Sequence, residues 1–187
     1  LRALHALDLR GEQSERALEL LASLAAQLLG CPMSMVTVID RAHQRIVASI
    51  GADKGEADRS AAFCNHTIRT PELMVVHDAT KEHRFADSPF VTGEPHVRFY
   101  AGMPISAPDP ETGDAHRVGA ICAVDTVPRS ISPAQEAAMS NLGRVAEAIL
   151  SARIVSGQSL ELAEVMHRPG EAGEEGRQLR DRRAVPA

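Results

Sequence analysis

Three cysteines (Cys31, Cys64 and Cys122), eight histidines and one tyrosine, Tyr100, are the residues of this chain best equipped for chemistry. Phe63, Cys64 and His66 fall together in "AAFCNHTI", on a predicted short helix. A thiol becomes a redox sensor only where its surroundings lower its pKa; otherwise it is a small apolar side chain. Cys122, in mid-strand among Ala and Ile, reads as core. A histidine at position 66, near Asp78 or Tyr100, could report the charge or polarity of a ligand, or be half-buried and bonded to backbone. His77, His83 and His96 cluster in sequence with Asp78 and Glu82, but their spacings match no metal-ligand template. No Gly-rich phosphate loop, G-x-S-x-G or nucleophile–base pair is present. His167 in "EVMHRP" lacks the surroundings of a phosphoacceptor histidine. On these residues an enzyme is the weaker class.

The stretch "RFYAGMPI" (Arg98–Ile105) places Phe99 beside Tyr100 in a chain with only four phenylalanines and no tryptophan. On a strand, Phe99, Ala101 and Met103 share one face, and Tyr100 and Gly102 the other. A tyrosine buries a ring but keeps a hydroxyl that needs a partner. Gly102 leaves the backbone bare, so either a ligand or a neighbouring element can come close. Two readings are open: one face floors a pocket, or the pattern packs the sheet against helices and Gly102 relieves crowding. Asp78 reads as the cap of the following turn, with Arg84 and Arg98 available to pair with it or with an anionic ligand.

These residues need elements to hold them. "SERALELLASLAAQLL" (Ser14–Leu29) has helical apolar spacing, closed by Gly30 and Pro32. Its stripe, widened by Leu20, Leu24 and Leu29, exceeds one packing face. Met33–Ile39 and Gln44–Ile50 read as a β-hairpin with Ile46, Ala48 and Ile50 on one face. Gly51–Asp58 reads as loop, Ser60–Ile68 as a short helix, and Leu73–Asp78 as a strand. Ala79–Val97 is expected to be loop with one helical turn. Val97–Ile105 and Arg117–Asp125 are further strands, the latter alternating Val118, Ala120, Cys122 and Val124 against Gly119, Ile121 and Ala123. Between them, "APDPETGDAH" (Ala107–His116) carries turn chemistry. "SPAQ" at Ser132 combines an N-cap, a first-turn proline and a capping-box glutamine, opening a helix to Leu150 that could extend to Met166. This order implies an α+β domain with a largely antiparallel sheet.

Composition narrows the partners. A net charge of −5 argues against nonspecific nucleic-acid binding. No apolar run approaches a membrane span, and three scattered cysteines make no disulfide framework, so a cytoplasmic setting is expected. The chain begins at Leu1, which suggests a fragment or a processed protein.

Four stretches, "AAFCNHTI", "MVVHDATKEHRFADSPFVTGEP" (Met74–Pro95), "RFYAGMPI" and "VGAICAVDTVPRSIS" (Val118–Ser132), occur in order. Together they resemble a GAF domain of bacterial sensor proteins. The resemblance implies a central antiparallel sheet of five or six strands, terminal helices on one face, and short helices and loops closing a pocket on the other. It covers roughly Leu18 to Leu150 and so sets a domain at residues 14–150 after an extension at 1–13; the residue pattern itself reads as a helical extension at 151–167 and, where Gly, Pro and both charge signs mix at 168–187, as a disordered tail. The resemblance also implies a small-molecule ligand bound by Phe63, Cys64, His66, Asp78, Phe85, Phe99, Tyr100 and Met103; the helix stripes, broader than one packing face needs, add the expectation of a homodimer through the terminal helices. A kinase or cyclase output module outside this chain would receive the signal. Family members that attach a bilin commonly have His directly after the cysteine. Here Asn65 intervenes, and the cysteine arrangement of the methionine sulfoxide reductases is absent. Bilin and haem are therefore not expected, and the ligand's identity stays open.

Overall fold

The first helix among the described residues, α1 (Glu12–Leu29), ends where Gly30 adopts the left-handed conformation at φ 63°. Cys31 N donates to Ala26 O at 2.9 Å and Gly30 N to Gln27 O at 3.3 Å, the paired bonds of a Schellman stop. The computed structural model describes residues 12–109 and 111–167, with side chains described for 16–109 and 111–152. The expected tail at 168–187 and residues 1–11 of the expected N-terminal extension lie outside the described residues. The chain divides into two compact units, Leu1–Val155 and Ser156–Ala187. The sheet and both cores belong to the first.

Six strands come next: β1 (Met33–Ile39), β2 (His43–Ile50), β3 (Glu56–Asp58), β4 (Met74–Val76), β5 (Phe99–Pro108) and β6 (Ala115–Asp125). They form one sheet in the order β3-β2-β1-β6-β5-β4, antiparallel at every joint. A 3₁₀ turn (Arg59–Ala61), α2 (Phe63–Thr67) and α3 (Pro89–Thr92) lie between the strands, and α4 (Pro133–His167) comes after them. The fold is α+β.

Several boundaries differ from the sequence reading. The segment read as loop contains β3, whose polar residues give no apolar alternation; tertiary pairing forms it, with Gln44 opposite Ala57 and Arg45 opposite Glu56. The Arg45–Glu56 ion pair at 2.8 Å reinforces that edge. The loop expected at 107–116 is shorter, because Ser106, Ala107 and Pro108 pair with Arg117, His116 and Ala115. The strand expected at Leu73–Asp78 contracts to β4, and the helix expected at Ser60–Ile68 divides into the 3₁₀ turn and α2.

Two bulges rephase the sheet. Val36 pairs with Ala48 but Thr37 with Ile46, so Val47 has no partner opposite it. Likewise Ile105 pairs with Gly119 and Ser106 with Arg117, which skips Val118. An extra residue turns the remainder of its strand to the other face. Ala48 and Val118 therefore join the core beneath the helices, while Ile46 lines a cavity on the opposite side. The expectations that Ile46 and Ala48 share a face, and that Val118 aligns with Ala120, are corrected accordingly.

On one side of the sheet, Leu18, Leu21 and Ala25 of α1 and Met139, Ala146 and Leu150 of α4 pack against Val36, Phe99, Ala101 and Ile121. The capping box that opens α4 is present: Gln135 N donates to Ser132 Oγ at 3.3 Å and Ser132 N to Gln135 Oε1 at 2.9 Å. Gln135 Nε2 also donates to Leu28 O at 2.9 Å, tying α4 to the end of α1. On the other side, Ile39, Val76, Tyr100, Ala120, Cys122 and Val124 meet Phe63, Cys64, Phe85 and Val91 in a second core.

Candidate functional site

The second core is incomplete. Between the sheet and the segments carrying β3, α2 and α3 lies a cavity of about 310 Å³. Met33 and Met35 of β1, Gln44 and Ile46 of β2, Tyr100 of β5, and Cys122 and Val124 of β6 supply the sheet wall. Phe63 and Cys64 of α2, with Phe90, Pro95 and Val97, supply the opposite wall, and residues 52–57 run along the rim. The walls are apolar, rich in aromatic rings and methionine, the lining of a small-molecule site.

The aromatic rings are stacked in a column. The Phe85 and Phe63 centroids are 4.2 Å apart, and those of Phe63 and Tyr100 are 5.2 Å apart. The Tyr100 hydroxyl is 2.7 Å from Thr67 Oγ1 and donates to Cys64 Sγ at 3.3 Å. The Cys64 and Cys122 sulfurs are 3.8 Å apart. Burial, then the neighbouring cysteines, raise the Tyr100 phenol well above its ordinary pKa. The hydrogen bond with Cys122 is the largest influence lowering the Cys64 thiol, while sharing that bond and burial raise Cys122. Tyr100, Thr67, Cys64 and Cys122 thus form one closed network.

α2 is held in place from beneath. Arg59 Nε donates to Asn65 Oδ1 and Arg59 Nη1 to Asp40 O, both at 2.8 Å, locking the helix to the β1–β2 turn. Asn65, which separates Cys64 from His66, therefore serves this brace. His66 lies beyond it with Phe85, His83 and Arg84 in a separate cleft of about 460 Å³. There its ring meets the edge of Phe85, centroids 4.9 Å apart. Burial and the charges of Arg69 and Arg84 lower its pKa.

Of the eight residues expected to bind a ligand, Phe63, Cys64 and Tyr100 line the cavity. Phe85 stands behind Phe63 and is buried. Phe99 and Met103 lie on the opposite face, in the core beneath the helices, as strand alternation from Tyr100 requires. Asp78 is away from the cavity, accepting from Thr80 N at 3.2 Å and Thr80 Oγ1 at 2.7 Å and pairing with Lys81 at 3.2 Å. Arg84 pairs instead with Glu82, and Arg98 donates to Val91 O and Val97 O. The sequence reading missed Met33, Met35, Gln44 and Ile46. A signal was present in Gln44, a polar residue two positions before Ile46 on the same strand face. No group of three or more His, Cys, Asp or Glu suited to a metal occurs among the described residues.

The family model described as "GAF domain" matches residues 13–150. The chain belongs to the GAF domain family. A cyclic di-GMP phosphodiesterase of Pseudomonas aeruginosa is 32% identical over 133 residues, covering 71% of this chain and 22% of the relative. The chain thus spans about a fifth of that relative's length. Among solved structures, the GAF domain of a phosphoenolpyruvate-protein phosphotransferase from Acinetobacter superposes with a TM-score of 0.59 at 17% identity, covering 84% of this chain and 93% of that one. A free methionine-R-sulfoxide reductase from Thermoplasma acidophilum has a TM-score of 0.59 at 12% identity, with 76% and 95% covered. These two likenesses establish the GAF fold. The domain is a regulatory module of a signalling family, and no described helix is long and apolar enough to cross a membrane.

Proposed function

We propose that this GAF domain is a cytoplasmic sensor that binds a small molecule in the cavity beside Phe63, Cys64 and Tyr100 and passes the event to its terminal helices. The observation that carries the reading is the cavity itself, about 310 Å³ left open beside an otherwise close-packed sheet. Ligand and helices share the strands: Tyr100 faces the cavity, while its neighbours Phe99 and Ala101 face α1 and α4. A ligand biases the helices only by its difference in affinity for two helix arrangements. The output is a kinase or cyclase module outside these residues, or, by analogy with the Pseudomonas relative, a phosphodiesterase. A thermal-shift screen with cyclic nucleotides, amino acids, purines and tetrapyrroles tests the reading, since a ligand of the native state raises the midpoint. A flat response across all four classes would refute it.

A second reading, a dimerisation spacer that binds nothing, draws on the helices. Leu20 and Leu24, one turn apart on α1, are 65% and 49% exposed, and Val145 on α4 is 47% exposed. A homodimer covering them serves either reading. Sedimentation equilibrium of the intact chain and of Leu20→Glu/Leu24→Glu tests that part; a monomer at high concentration in both removes it.

A further inference from the structure

Gln44 is the anomaly of the cavity. It sits on β2 among the lining residues and is only 8% exposed. Its side-chain oxygen is buried without a hydrogen-bond partner among the described residues. An unsatisfied buried acceptor costs about 1–3 kcal/mol of stability, so a fold that retains one has a reason in some other state. The other polar groups on the walls are engaged: Tyr100 and Cys64 bond each other, and Tyr100 also meets Thr67.

The charges along the rim define what fits. Asp53, Lys54 and Glu56 line it, two acids to one base, with Glu56 paired to Arg45 and Lys54 to Glu19. An anionic ligand gains little from this rim, and a buried ion without a partner is strongly disfavoured. The walls offer the rings of Phe63, Phe90 and Tyr100 and the thioethers of Met33 and Met35, surfaces that favour flat apolar rings. The volume is at the lower end of the roughly 300–1,000 Å³ of small-molecule sites, room for a fused bicycle and not for a tetrapyrrole.

We propose that the cavity selects a neutral, flat heterocycle carrying one N–H or O–H donor, and that Gln44 is the specificity residue whose carboxamide oxygen accepts that donor. This rests on the ligand-binding reading above and names its ligand class. The oxygen is closed off in the empty state, and a turn about the terminal amide torsion, which is soft, brings it to the donor. A site built to hydrogen-bond rejects analogues that lack the group, because the site's own polar atom stays unpaired.

The test pairs indole, which has the donor, with benzofuran, its near-isostere without one. Isothermal titration and thermal shift on the intact chain are expected to show indole binding roughly 5- to 50-fold tighter. In Gln44→Leu that ratio falls to about one. Ligand-free Gln44→Leu, and Gln44→Met as a second apolar replacement, keep or raise the urea midpoint of the wild type. Equal affinities in the wild type, or a preference that survives in Gln44→Leu, overturn the proposal while leaving the ligand-binding reading standing. A lowered midpoint in both ligand-free variants also overturns it, by showing that Gln44 is satisfied in the empty state. If neither probe binds the wild type, this ligand class is excluded, and the broader screen alone judges the cavity.

Discussion

The Tyr100 ring lies back over Gly102, two residues along the same strand: a Cβ built at Gly102 would stand 2.7 Å from Tyr100 Cε1 and 2.5 Å from Cζ. The bare backbone serves the ring and not a ligand directly. It lets the phenol lie along the sheet, where its hydroxyl reaches Thr67 and Cys64.

Gly102→Ala must therefore displace the ring. Overpacking of this kind costs about 1–3 kcal/mol, read as a lower urea midpoint. The same substitution shrinks the cavity and weakens binding of any ligand found there. A variant as stable as the wild type would mean that the ring has another place to go.

Tyr100 is the sole tyrosine in a chain without tryptophan, so phenol absorbance and fluorescence report on this site alone. Its pKa is raised, chiefly by burial. A raised folded-state pKa contributes stability that is present below the unfolded value, about 10, and is lost as pH rises above it. Alkaline titration is expected to show phenolate absorbance growing together with loss of far-UV circular dichroism. Ionisation near pH 10 in a fully folded protein would contradict the closed network.

His66 sets an opposite slope. Its pKa is lowered, first by burial and then by Arg69 and Arg84. Between that value and the ordinary one near 6.5, the unfolded chain binds more protons, so stability decreases as pH falls through this window. Denaturant midpoints at pH 7.5 and 5.5 should differ by more in the wild type than in His66→Gln. Identical differences would place the pH response elsewhere.

The three thiols should be slow to react. All are buried, burial pushes Cys31 up to about 11, and Cys64, although lowered, is hydrogen-bonded within the wall. Native protein is expected to give well under one equivalent with Ellman's reagent over minutes, and all three cysteines after unfolding. Modification of Cys64 within seconds would revive a thiol-chemistry reading.

The sequence by itself determined what is written locally. Gly30 after a helical stripe ends α1, Ser132 and Gln135 open α4, and alternation along "RFYAGMPI" separates Phe99 from Tyr100, because these are consequences of backbone conformation and side-chain period. Four motifs in order were enough for the family. Tertiary structure alone decided where that period breaks and which face holds the empty space. The bulges at Val47 and Val118 arise from cross-strand pairing that no single strand encodes. Phe99 and Met103 went to the helices and not to the ligand face because α1 and α4 cover that side. The spacing of Gln44 and Ile46 along one strand face is visible in sequence, but only with β1 and β3 paired on either side and α2 across the cavity does the Gln44 oxygen become a buried acceptor without a partner among the described residues.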